Sequence, residues 1–146
     1  MSSQNFSFEM DRRRLIANLG DHYALPQAGI KGSGEAQRFA REFAQTRLTK
    51  SGLRGLESLA WSTDSVGDIL DYIRMRVGRG TWSTGANLAA VLEELRGDKT
   101  VEAFFQSHPD KAEETQKRLL HLDLCREFIK HLVAHFEFEK SGVKND

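Results

Sequence analysis

Apolar residues recur along much of the chain with the period of an α-helix. Between residues 35 and 45 they fall at positions i, i+3, i+4 and i+7, on one face of a helix, and are Ala36, Phe39, Ala40 and Phe43. Similar stripes follow Thr49 and Ser65, two residues whose hydroxyl groups can accept hydrogen bonds from the first amides of a helix. The pattern predicts several amphipathic helices that share one core.

Three further stretches have a helical pattern. Residues 8–19 predict a short helix that ends at Gly20. Residues 84–95 predict an amphipathic helix that ends at Gly97, and a short helix follows at about residues 101–105. The segment just before residue 35 is rich in Pro and Gly, which predicts a loop.

The C-terminal part predicts one long helix. Pro109 suits a first helical turn, and nothing from there to Lys140 interrupts a helix of about thirty residues, roughly 45 Å long. We therefore expect an all-α, single-domain helical bundle of about five to six helices with a long C-terminal helix. Residues 1–34 are expected to form a short helix and loop extension, and residues 35–146 to form the helical bundle domain.

Composition agrees with one globular domain. The chain has 146 residues, and its 39% of apolar residues are enough for one core. No apolar run approaches the roughly 18 residues of a membrane span, and no apolar stretch follows the basic residues near the N-terminus as in a signal peptide. A lone Cys125 excludes an intramolecular disulfide. These features predict a cytoplasmic protein with no membrane partner.

Basic residues are unevenly distributed, although 21 basic and 21 acidic residues make the net charge zero. Residues 36–56 contain one acidic residue and five basic ones, which are Arg38, Arg41, Arg47, Lys50 and Arg54. Further on, Tyr72, Arg76 and Arg79 share one flank of a predicted helix. Guanidinium groups and helix N-termini suit phosphates, and an available aromatic ring such as Tyr72 or Trp82 suits unpaired bases. The pattern indicates a nucleic-acid-binding face, although such stripes are also typical of a solvated helix surface.

No pattern for a known kind of catalysis occurs in the chain. The phosphate-loop motif, the nucleophile elbow and the dinucleotide-binding glycine motif are all absent. His131 and His135 are one helical turn apart, as in some metal sites, but His121 would lie about 21 Å from His135 along one helix. We therefore expect no enzyme activity, no metal and no cofactor, with the histidines in the core or at its edge.

Three segments of the chain are AQRFAREFAQTRLTKSGLR, ILDYIRMRVGRG and LDLCREFIKHLVAHFEFEK. In their order and spacing they resemble the small-subunit family of type III-A CRISPR effector complexes. In that family an amphipathic helix leads into a threonine-started helix that carries an arginine, a later helix ends in a Gly-Arg turn, and the closing helix has an aromatic face. The likeness covers roughly residues 35–140.

The resemblance implies a non-catalytic subunit of an antiviral ribonucleoprotein. Its partners would be target RNA paired with guide RNA, the large polymerase-like subunit, repeated backbone subunits and additional copies of itself. By motif position, the resemblance assigns RNA contacts to Lys50, Arg54 and Arg79, and the helical pattern adds Arg41, Arg47 and Arg76.

Two glycines of the threonine-started segment, Gly52 and Gly55, raise a separate question. We expect that they let an RNA backbone or a neighbouring subunit approach the helix closely, while Lys50 and Arg54 meet phosphates. The alternative is that Gly52 marks a loose first turn and Gly55 makes room for a packed neighbouring helix.

Two other functions remain open from the sequence. A helical adaptor would bind protein alone, through Phe104, Phe105, Trp82 and the apolar margins of the last helix. A DNA-binding helix-turn-helix could span residues 50–78, but Asp68 and Asp71 would lie in the part of its second helix that enters the groove of DNA.

Overall fold

The computed structural model describes residues 3–27, 33–80, 82 and 85–144, and these residues form an all-α bundle with a long C-terminal helix, as predicted. The α-helices are α1 (Ser3–Ala24), α2 (Glu35–Ala44), α3 (Lys50–Ser62), α4 (Val66–Gly78), α5 (Gly85–Glu94), α6 (Lys99–Ser107) and α7 (Glu114–Lys144). Two 3₁₀ turns lie at Leu95–Gly97 and Pro109–Lys111. The predicted loop at residues 28–32 and the predicted helix start at Thr84 lie outside the described residues.

Helix α7 is the main packing partner of several other helices. Its 31 residues pack against α1, α2 and α3, whereas α4 packs mainly against α5. Cys125, Phe128, Leu132 and Phe136 recur every three or four residues along α7 and are fully buried. The predicted helix start at Pro109 is wrong, because Pro109 begins a separate 3₁₀ turn and α7 starts only at Glu114.

Helix α1 is longer than the predicted helix over residues 8–19, and it runs through Gly20 instead of ending there. A Cβ atom on Gly20 would lie 2.7 Å from Glu127 Oε2 on α7, so glycine at this position leaves room for the Glu127 side chain. Phe8, Leu15 and Tyr23 of α1 belong to the same core cluster as the later helices. Helix α1, in the predicted extension over residues 1–34, therefore contributes to the packing of the bundle.

The helix starts near the basic residues follow the predicted capping chemistry. Thr49 Oγ1 accepts a hydrogen bond of 3.1 Å from the N–H of Gly52, and Ser65 Oγ accepts one of 3.4 Å from the N–H of Asp68. Helix α4 ends at Gly78, and the nearby Gly80 takes a left-handed φ of 76°.

Within the described ranges, no helix is both long enough and apolar enough to cross a lipid bilayer.

A candidate nucleic-acid interface at the start of α3

A groove of about 490 Å³ lies where the α2–α3 connection meets the end of α4. Its walls are Thr46, Arg47, Leu48, Thr49, Gly52, Arg76, Gly80 and Trp82. Arg47 precedes α3 and Arg76 lies in the last turn of α4, so two arginines from different elements line one space. We call this space the α3 groove.

Hydrogen bonds fix the position of the segment that precedes α3. Thr46 Oγ1 donates to the carbonyl of Phe43 at 2.6 Å and accepts from the N–H of Leu48 at 3.1 Å. Lys140 of α7 adds two further bonds, because its ammonium group donates to the carbonyls of Ala44 at 3.3 Å and Thr46 at 3.0 Å. The turn that presents Arg47 is therefore anchored on both sides.

The first turn of α3 has a positive electrostatic character. Thr49 caps the N–H of Gly52, but the N–H groups of Lys50 and Ser51 meet no acceptor among the described residues. The turn contains no acidic residue that would offset the positive end of the helix dipole. A helix start of this kind favours an anion, and Arg47 and Arg76 line the same groove.

Tyr72 positions Arg76. The Arg76 guanidinium donates from Nη2 to Tyr72 Oη at 3.1 Å, and its Cζ lies 4.9 Å from the centroid of the same ring. Tyr72 Oη in turn lies 3.5 Å from the carbonyl oxygen of Gly52, to which it donates. The ring packs edge-on against Trp82, with 5.9 Å between their centroids.

These contacts change the expected role of the two aromatic rings. Trp82 is only 2% exposed, so its face is closed to a base, and the prediction of an available indole is wrong. Tyr72 is half-buried, with Arg76 over its ring and Trp82 against it. The α3 groove therefore offers cations and amides to a ligand, with no open aromatic surface on Trp82.

The two glycines of α3 differ in their surroundings. A Cβ on Gly55 would lie 2.6 Å from Tyr72 Oη, so Gly55 makes room for the side chain of the neighbouring helix α4. The prediction that RNA approaches at Gly55 is wrong, because Tyr72 already fills that space. Gly52, in contrast, lines the groove, and its nearest neighbour for an added Cβ is Leu48 Cδ1 at 3.3 Å.

The structure separates the six predicted RNA-binding residues into two groups. Arg47 and Arg76 line the α3 groove, and Lys50 and Arg79 are the sequence neighbours of the groove residues Thr49 and Gly80. Arg47, Lys50 and Arg79 form no ion pair with a carboxylate of the described chain. These four cations therefore lie at the α3 groove or next to it along the chain, and we call them the basic corner.

Arg41 and Arg54, in contrast, are each paired with a carboxylate of α7. Arg54 Nε donates to Glu137 Oε1 at 2.6 Å, and Arg41 Nε donates to Glu139 Oε1 at 3.4 Å. Both arginine side chains are more than 60% exposed, yet each is matched by a carboxylate on α7. We call these two pairs the α7 seam.

The histidines have structural partners. His121 Nε2 lies 2.8 Å from the carbonyl oxygen of Leu92, and His131 Nε2 lies 3.1 Å from Glu127 Oε2. Burial lowers the pKa of His135, and the nearby His131 lowers it further, whereas burial raises the pKa of the Cys125 thiol to about 12. Among the described residues, no group of three or more His, Cys, Asp or Glu side chains could hold a metal ion.

Sequence reasoning did not find the roles of Lys140 and Thr46, because their partners depend on how α7 packs against the end of α2. Tyr72 was the one supporting residue with a local signal, since it is four residues before Arg76 on the same helix face.

Comparison of the chain with protein-family models, with curated proteins and with solved structures found no match in any of the three. The case for a function therefore rests on the chemistry of the α3 groove.

Proposed function

We propose that this chain is a non-catalytic RNA-binding subunit that holds the phosphate backbone of RNA in the α3 groove. The observation that carries the proposal is the convergence of Arg47 and Arg76 on the capped but positively polarised start of α3. Guanidinium groups bind phosphates through paired N–H donors, and the amides of a helix start bind the same anion.

Binding in this groove would not depend on the base sequence. Trp82 is buried and Tyr72 is covered by Arg76, so neither ring offers the open stacking surface on which single-strand readers depend. Phosphate contacts fix the position of a strand and carry no sequence information themselves. The chain would hold RNA whose sequence is specified by another molecule, such as a paired guide RNA.

The resemblance of residues 35–140 to the CRISPR small-subunit family supports a place for the chain in a type III effector ribonucleoprotein, with a role in antiviral defence. The large polymerase-like subunit, repeated backbone subunits and further copies of this chain would be its partners. One site with four cations in or beside the groove would bind RNA weakly, and several copies along one RNA would supply affinity through their high effective concentration.

Fluorescence polarisation with a labelled single-stranded RNA over a series of salt concentrations tests the proposal. If Arg47, Lys50, Arg76 and Arg79 each neutralise a phosphate, log affinity should fall with log salt at a slope of about −2.8. The double variant Arg47→Ala/Arg76→Ala should bring the slope to about −1.4.

A matched control removes two positive charges elsewhere. Lys99 and Arg118 are exposed, on α6 and α7, and neither belongs to the α3 groove. Lys99→Ala/Arg118→Ala should leave the slope close to the wild-type value. Equal losses in both double variants would mean that RNA responds to overall charge and that the groove is not the site.

A protein-only adaptor is the second candidate, and large exposed apolar side chains favour it. Phe138 is 75% exposed and Trp61 is 55% exposed. Of the anchors predicted from the sequence, Phe104, Phe105 and Trp82 are wrong because all three are buried, whereas Phe138 lies on the last helix.

Gentle purification of the tagged chain from its native host separates the two candidates. RNA with repeat-derived ends, together with several larger protein subunits, would support the RNA-binding subunit. Protein partners without RNA would favour the adaptor. The four residues of the basic corner would then be part of a solvated helix surface with no role in binding RNA.

The DNA-binding reading receives no support from α4. Asp68 accepts a hydrogen bond of 2.6 Å from the Thr63 hydroxyl, and Asp71 is exposed beside it in the first half of the helix. Carboxylates at these positions would repel the phosphates of a duplex that approached the start of α4. A clear preference for duplex DNA over single-stranded RNA in the polarisation assay would instead support the hypothesis of a DNA-binding protein.

A further inference from the structure

A second cavity, of about 620 Å³, lies between the 3₁₀ turn Leu95–Gly97, α6 and the beginning of α7. It is separate from the α3 groove. Its α7 residues end at Leu124, whereas Lys140 of α7, which donates to the carbonyl of the groove residue Thr46, is about 24 Å further along the helix. The proposed RNA site does not use this cavity, so its chemistry requires a separate explanation.

The wall of the cavity is largely apolar. Val101, Phe105 and Leu124 line it and belong to the hydrophobic core. Its volume lies within the range of about 300–1,000 Å³ that is typical of small-molecule sites, which combine apolar walls with a few polar groups. The wall suits the apolar body of a ligand.

His121 provides one polar group. Its Nε2 lies 2.8 Å from the Leu92 carbonyl oxygen, and a carbonyl can only accept, so Nε2 carries the proton. The ring is 8% exposed, and burial lowers its pKa, which keeps it neutral near pH 7. Nδ1 then has a lone pair that can accept a hydrogen bond from an N–H or O–H group of a ligand in the cavity.

One basic residue of the cavity, Lys117, is available to the carboxylate of a ligand. Lys117 lines the cavity, with Nζ 5.9 Å from the centroid of the Phe105 ring, and forms no ion pair with a carboxylate of the described chain. Arg96 lines it as well and is paired with Glu114. Glu114 neutralises Arg96, so Lys117 is the cation that remains for a ligand, and Glu102 is the one carboxylate among the described lining residues.

We propose that this cavity binds a small organic acid with an apolar body, whose carboxylate meets Lys117 and whose N–H or O–H group donates to His121 Nδ1. Val101, Phe105 and Leu124 would contact the apolar body. The ligand is a free small molecule, and its binding does not depend on RNA.

Three probes of similar size test each part of the proposal by NMR titration of the full chain. Indole-3-acetate has an apolar ring, a carboxylate and an N–H group. Naphthalene-1-acetate lacks the N–H group, and tryptamine replaces the carboxylate by an ammonium group. For probes of this size we expect dissociation constants of about 1 mM, which such titrations detect.

Indole-3-acetate should shift the amide signals of residues that line the cavity, and it should shift the His121 Nδ1 resonance, which responds directly to a new hydrogen bond. Naphthalene-1-acetate should bind about fivefold more weakly and leave Nδ1 unchanged, because one neutral hydrogen bond is lost. Tryptamine should cause no saturable shift. Tryptamine binding as tight as that of indole-3-acetate, or shifts that lie away from the cavity, would overturn the proposal.

Two variants locate the binding. Lys117→Gln should weaken indole-3-acetate at least fivefold, whereas Lys130→Gln, on the exposed side of the same helix, should not. Gly97→Leu adds a side chain where an added Cβ meets nothing within 4 Å, at the cavity wall, and should compete with the probe. Unchanged binding in both Lys117→Gln and Gly97→Leu would exclude the cavity as the site.

Discussion

The α3 groove and the α7 seam contain the same kind of residue in two electrostatic settings. In the seam, Arg41 and Arg54 reach Glu139 and Glu137 of α7. In the groove, Arg47 has no carboxylate partner among the described residues and faces a helix start that itself favours anions. We infer that a basic residue is available to an anion mainly where the fold leaves its charge without a neighbouring carboxylate.

The seam is not excluded from RNA by burial, because its arginines are exposed. Exposed ion pairs contribute only about 0–1 kcal/mol to stability, so a phosphate could displace Glu137 from Arg54 at low cost. The displaced carboxylate would remain close and repel the phosphate. We therefore expect the seam to contribute less to RNA binding than the groove, and the predictions below test this difference.

The largest effect should come from the groove arginines. Arg47→Ala/Arg76→Ala should weaken binding of single-stranded RNA by about 2 kcal/mol, or roughly 30-fold at low salt, because two charge-assisted contacts are lost. Polarisation titrations at one fixed salt concentration measure the loss. Arg41→Ala/Arg54→Ala is the matched variant of the seam and should cost less than about threefold. A seam variant that loses as much affinity as the groove variant would remove the distinction.

The next largest effect should be on stability, at Gly55. Helix propensity by itself predicts that Gly55→Ala stabilises α3 by up to about 1 kcal/mol. The added Cβ would instead lie 2.6 Å from Tyr72 Oη, and overpacking of this kind costs about 1–3 kcal/mol. We expect a net loss of about 1 kcal/mol in the free energy of unfolding, measured in urea.

Gly78→Ala is the control for that measurement. Gly78 is the last residue of α4, and an added Cβ there meets nothing within 4 Å. This substitution should be neutral or stabilising by a few tenths of a kcal/mol. If Gly55→Ala stabilised the protein as much as Gly78→Ala, the contact between Gly55 and Tyr72 would not constrain the fold.

A smaller effect should follow from Tyr72→Phe, which removes the hydroxyl that accepts from Arg76. We expect RNA affinity to fall about fivefold, since one hydrogen bond to a charged group no longer orients the guanidinium. In the Arg76→Ala background the same substitution should have no further effect on affinity. A double-mutant cycle measures this, and additive losses would mean that Tyr72 acts independently of Arg76.

The smallest effect should be the loss of one seam pair on stability. Glu137→Gln leaves Arg54 without its carboxylate and should change the free energy of unfolding by less than about 1 kcal/mol. The informative readout is RNA affinity, which should rise slightly, because Arg54 becomes available to a phosphate. A fall in affinity would indicate that Glu137 positions Arg54 for RNA.

Local patterns predicted most of the helices because the apolar stripe and the cap are both short-range features. Thr49 and Ser65 cap the helices that follow them, and the stripe over residues 35–45 became the buried face of α2. The same local logic misplaced two boundaries. Gly20 lies inside α1, where it leaves room for the Glu127 side chain of α7, and Pro109 begins a separate turn before α7.

The helical class, the long last helix and the basic segment around α3 follow from residues a few positions apart, so the sequence was enough to predict them. Which basic residues line the α3 groove, and which are paired with carboxylates, depends on how distant helices pack together. The partners of Arg41 and Arg54 lie 98 and 83 residues further along the chain. Electrostatic interactions act through space at distances of a few ångströms, and no local pattern contains those distances.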